Sequence, residues 1–150
     1  MKKIVTTIAL ALLPILGFAQ EVKFDKKTNI VTAGENSFRL MRENCGFGGV
    51  DCHYDVFDKD NKKVMVINFR DYNSPTEISA GNPKGHVVYS EYVFLETKQK
   101  AEVEYFYIKH AKLAKYIIQN KLIVNGLLDN KAVEEFVVSK GTPFKERVKF

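Results

Sequence analysis

The chain has 150 residues and a formal net charge of +5, with 45% hydrophobic, 12% aromatic and 27% charged residues. That usage excludes collagen-like, low-complexity and wholly disordered classes and sets an expectation of one domain. The charge is too small and too scattered for a nucleic-acid-binding surface, which needs clustered Lys and Arg.

Residues 1–19 read as a cleaved secretory signal peptide. Lys2 and Lys3 form a positive start, Ile4 to Phe18 carries no charge, and Gly17 and Ala19 place small residues where signal peptidase needs them. The uncharged run is shorter than the ~20 residues that span hydrocarbon, and Pro14 interrupts it. Cleavage after Ala19 leaves residues 20–150 as a single secreted or periplasmic domain that does not span the membrane. It also removes two of the net positive charges.

Val22 to Asp25 and Ile30 to Thr32 are β-compatible pieces, and Ala33 to Asn36 reads as a turn before an alternating Phe38 to Arg42. Next comes Cys45-Gly46-Phe47-Gly48-Gly49-Val50-Asp51-Cys52. In an exported chain two cysteines point to a disulfide, Cys45 to Cys52, worth about 2.5 kcal/mol by the loop-entropy model. The glycines relieve strain in so short a ring. They lack the Lys-Ser/Thr of a phosphate-binding loop.

His53 to Phe57 and Val64 to Arg70 flank Asp58-Lys59-Asp60-Asn61-Lys62, a hairpin signal, with Met65, Ile67 and Phe69 on one face. Residues 71–85, rich in Pro, Gly and Ser, form a long loop of the kind that often carries contacts. A second hairpin follows, Val87 to Thr97 and Ala101 to Tyr107. The period then changes to that of a helix over Lys109 to Lys121, with Leu113, Ala114, Ile117 and Ile118 as its apolar stripe. Asn125-Gly126 breaks the chain. Asp129 or Asn130 caps a second helix to about Lys140, burying Ala132, Val133, Phe136 and Val137, and Phe144 to Phe150 is a tail that can add a last strand. The sum is an α+β fold: residues 20–107 as an antiparallel β-meander of about five to seven strands, packed by a pair of α-helices within 108–150.

Chemical motifs are few. Cys45 and Cys52 are too far apart in sequence for a zinc knuckle, and His53 and His86 belong to no ligand pattern, so neither metal nor cofactor is expected. Asp58 to Lys63 begins like a calcium loop but has Lys62 at its fifth position and Phe69 at its twelfth. There is no nucleophile elbow. His110, among lysines, reads as part of a solvated helix face. Glu102 and Glu104 share a strand face beside Lys98 and Lys100 and read as solvated too.

The aromatic residues are what remains. Tyr89, Tyr92, Phe94, Tyr105, Phe106 and Tyr107 crowd the second hairpin on both faces, so some are expected to form a contact patch unless the helices cover the second face. The leading reading is a non-enzymatic exported binding or interaction module for an envelope or extracellular protein or a small apolar or anionic ligand. Its expected contacts are Tyr89, Tyr92, Phe94, Tyr105 and Tyr107, with Phe47 of the cysteine loop. The alternatives are a small secreted hydrolase-like enzyme using His53 or His86 with a carboxylate such as Asp55, and a lipocalin-like carrier suggested only by the order of strands then helix.

Overall fold

The structure, a computed structural model, describes residues 21–43, 52–104 and 109–141. Seven strands pair in chain order, every pair antiparallel: β1 (Lys23–Asp25), β2 (Ile30–Ala33), β3 (Asn36–Glu43), β4 (His53–Phe57), β5 (Lys63–Asn73), β6 (His86–Phe94) and β7 (Lys100–Val103). Helix α1 (His110–Gln119), a two-stranded hairpin of β8 (Ile123–Val124) and β9 (Leu127–Leu128), and helix α2 (Asn130–Lys140) follow. The α+β meander with C-terminal helices is therefore the fold.

Alternation along each strand builds one buried face. Leu40, Val56, Met65 and Phe94 lie side by side across β3 to β6, and Tyr54, Ile67, Tyr92 and Ala101 form the next row. All eight are buried. The helices close over these rows: α1 inserts Leu113, Ala114 and Ile117, and α2 inserts Val133 and Phe136. Asp129 caps α2 by accepting from the Ala132 amide at 3.0 Å.

Two departures from the sequence expectation have local causes. β5 continues through Asn73, so the loop starts at Ser74, where the Ser74 N–H donates to the Gly85 carbonyl at 2.8 Å. Gly85 sits at φ +62°, and a Cβ there would fall 1.9 Å from the Ser74 carbonyl oxygen, so only glycine closes this loop. Within it Asn82 donates to the carbonyls of Glu77 and His86 and accepts from the His86 amide. The second departure is at Asn125-Gly126, which does more than break the chain. Both residues have positive φ, 51° and 77°, the two-residue turn that matches strand twist, and they join β8 to β9. The expected tail strand at 144–150 lies outside the described residues.

No helix among the described residues is long and apolar enough to cross a membrane.

Candidate functional site

The residues expected to make contacts end up in three different situations. Tyr92 and Phe94 are fully buried, with Phe136 of α2 at 5.2 and 6.0 Å between ring centroids. These two are core, which corrects the expectation of a surface patch: α2 covers that face of β6. Tyr89 points to the opposite face, is 8% exposed and stands edge-on to Tyr72 at 6.0 Å. Burial, then the carboxylates Glu102 and Glu91, push the Tyr89 hydroxyl above its ordinary pKa. Phe47, Tyr105 and Tyr107 lie outside the described residues, as does Cys45. Cys52 is buried at the start of β4, and Arg42 Nη2 donates to its sulfur at 2.9 Å.

Both histidines of the enzymatic alternative stand near a carboxylate. His53 Nε2 is 3.7 Å from Asp55 Oδ1 on the face of the sheet away from the helices, and His86 Nε2 is 3.2 Å from Asp71 Oδ2. A hydrolase of the Ser-His-Asp type also needs a nucleophile within reach of the imidazole. Cys52 precedes His53 but belongs to the core on the other face of β4, and Asp55 is engaged by Lys63 as well. Ser74, which shares a shallow polar notch with His86, shares its hydroxyl hydrogen bond with Thr76 at 2.8 Å. Among the described residues no three His, Cys, Asp or Glu side chains gather as a metal site.

The feature that does converge is a cleft of about 570 Å³ where α1 begins. Strand β1 contributes Phe24, the β1–β2 turn Lys26, the end of β3 Arg42, and the start of α1 Lys109 and His110. Asn29, in the left-handed region at φ 58°, accepts from the Leu40 amide at 2.9 Å and so anchors that turn to β3. The imidazole of His110 stacks on Phe24, 4.7 Å between centroids and 24° between planes, and meets Tyr54 edge-on at 5.0 Å. This corrects the expectation of a solvated helix face, because β1 and β4 put aromatic rings on both sides of it. Burial first, then the charges of Arg42 and Lys26, hold His110 below the usual imidazole pKa. The imidazole is therefore neutral near pH 7.

No acidic side chain lines the cleft among the described residues. Asp25, next to Lys26 in sequence, accepts from the Lys27 amide and the Thr28 hydroxyl within its own turn. Lys109 stands at the N-cap of helix α1 and makes no side-chain cap, and the first turn holds no acidic residue. The Lys112 and Leu113 amides close this first turn on the Lys109 carbonyl at 3.0 and 3.1 Å, and the helix start carries a partial positive charge. Only folding makes this site: Lys26, Arg42 and His110 are far apart in the chain and follow no spacing pattern, so sequence reasoning missed them. The one local hint was an apolar-faced helix opening on lysine instead of Asp or Ser.

No protein-family model, no curated protein and no solved structure matches this chain.

Proposed function

We propose that the protein is an exported, non-enzymatic binding module, acting in the periplasm or outside the cell, whose ligand is a small organic anion held in the cleft at the start of α1. The observation that carries this reading is the meeting of Lys26, Arg42 and Lys109, from three separate segments, around one concavity with no lining carboxylate among the described residues. Surface cations are usually interspersed with acids, as Lys62 is with Glu96 here at 3.2 Å. A concave site with like charges and an apolar wall is where a ligand supplies the counter-charge.

Export rests on the residue 1–19 pattern, and with it goes a Cys45–Cys52 disulfide that ties the glycine loop to β4 beside Arg42. The burial of Cys52 and the lack of a free cysteine among the described residues support that bridge. Intact mass of the secreted chain tests both points: the expected mass is that of residues 20–150 less two hydrogens.

Native mass spectrometry of protein isolated gently from its own source tests the binding reading. The wild type is expected to carry an added small mass, and the Lys26→Glu/Arg42→Glu variant to lose it while keeping its circular dichroism. A bare wild type that also binds no organic anion by calorimetry would falsify the reading.

A further inference from the structure

Resting on the reading of the cleft as an anion site, we propose that its ligand is a phosphate monoester, with the dianionic phosphoryl group among Lys26, Arg42 and Lys109, and the organic part against Phe24. Charge comes first. Three cations, Lys26, Arg42 and Lys109, border the cleft, and the first residues of the ten-residue helix α1, His110 and Ala111, line it too. A monoanion leaves most of that charge uncompensated; a dianion with several acceptor oxygens meets it. Arg42 supplies a forked donor and the two lysines supply point charges, a mixture that suits a tetrahedral oxyanion.

Size and wall composition come second. At about 570 Å³ the cleft is much larger than a bare oxyanion and falls within the range of small-molecule sites. Phe24 is half-buried, stacks with His110 and lines the cleft, so it offers an apolar surface to an organic group. A free inorganic ion would leave that wall unused.

His110 then acts as a built-in reporter. The charged groups facing it are Lys26 from the β1–β2 turn and Arg42 from β3, with Lys109 beside it at the helix start; Tyr54 from β4 faces it as a neutral ring. A bound dianion offsets the charges of Arg42 and Lys26 at the imidazole, so the His110 midpoint rises on binding.

Phenyl phosphate and phenyl sulfate share a body and a tetrahedral head but differ by one charge near pH 7.5, above the phosphate's second pKa of ~6. Isothermal titration calorimetry of the full mature protein is expected to show phenyl phosphate binding at least about tenfold more tightly, as one added charge-assisted contact implies. Arg42→Gln should remove most of that preference. The His110 resonance should move to a higher midpoint when the protein is saturated with phenyl phosphate. Equal affinity for the two esters, with His110 unmoved, overturns the phosphate proposal yet leaves an anion site standing. Binding of neither overturns both. Flotation with vesicles carrying phosphatidic acid, against phosphatidylcholine alone, separates the two sources of such a group. Recruitment assigns a lipid headgroup, and soluble binding without recruitment assigns a free ester.

Discussion

His110 illustrates how the fold sets the charge of one side chain. In the unfolded chain its imidazole titrates near 6.5, while burial and then Arg42 and Lys26 hold it lower in the folded protein. Below about pH 6.5 the unfolded state therefore binds the proton first. The contribution is complete at neutral pH and is lost as pH falls through 6.5 toward the folded value. The urea midpoint is expected to be lower near pH 5 than near pH 7.5, and His110→Phe, which keeps a flat ring between Phe24 and Tyr54, to remove that component. An equal acid loss in the variant would place the sensitivity elsewhere. Glu91 is distinguishable because it acts at more acid pH. Burial would raise its pKa, but hydrogen bonds from Asn68 and Arg70 and the charge of Lys100 overcome that and leave it below the ordinary glutamate value.

The connection between the helices is a structural element as well as a link. The β8–β9 turn reaches the sheet, where the Lys59 amide donates to the Gly126 carbonyl at 2.8 Å and a Cβ on Gly126 would lie 2.8 Å from the Ser37 carbonyl oxygen. The positive φ and the close approach act together, so Gly126→Ala should destabilise the fold by about 2 kcal/mol. The measurement is guanidinium unfolding, and a loss under ~0.5 kcal/mol would mean the turn moves freely away from Ser37. Asp129→Ala removes the cap of α2 and should cost about 1 kcal/mol, with Asp129→Asn close to wild type because the amide oxygen still accepts from Ala132. Both signals were local. Asp129 was readable as a cap from the helical stripe that follows it, and Asn125-Gly126 was readable as a turn. The strands flanking Asn125-Gly126 are two residues each, too short for alternation to mark them as a hairpin.

Across the whole molecule, what was legible follows from sequence distance. In a meander each strand pairs with its chain neighbour, so alternation such as Met65, Ile67, Phe69 and turns such as Asn61 suffice to order the sheet. The cover on that sheet is non-local: nothing near Tyr92 announces that Phe136 will lie over it, and nothing near Arg42 announces His110. The same geometry separates the two ends of the helical layer, α1 lying by β1 and α2 by β7. Stability and binding should therefore come apart. Phe136 packs on Tyr92, Phe94 and Tyr116, and Phe136→Ala should cost about 3–5 kcal/mol by leaving a cavity among them. The molecules that stay folded should bind phenyl phosphate as wild type does, because the cleft sits where α1 begins beside β1, and Phe136 belongs to α2 beside β7. Lys26→Ala should do the reverse, leaving the unfolding midpoint nearly unchanged, since Lys26 is an exposed turn residue, and weakening binding several-fold. Calorimetry and denaturant curves on the two variants decide it. If Phe136→Ala abolishes binding in the folded fraction, the two ends are coupled through the helical layer, and the cleft depends on the core rather than resting beside it.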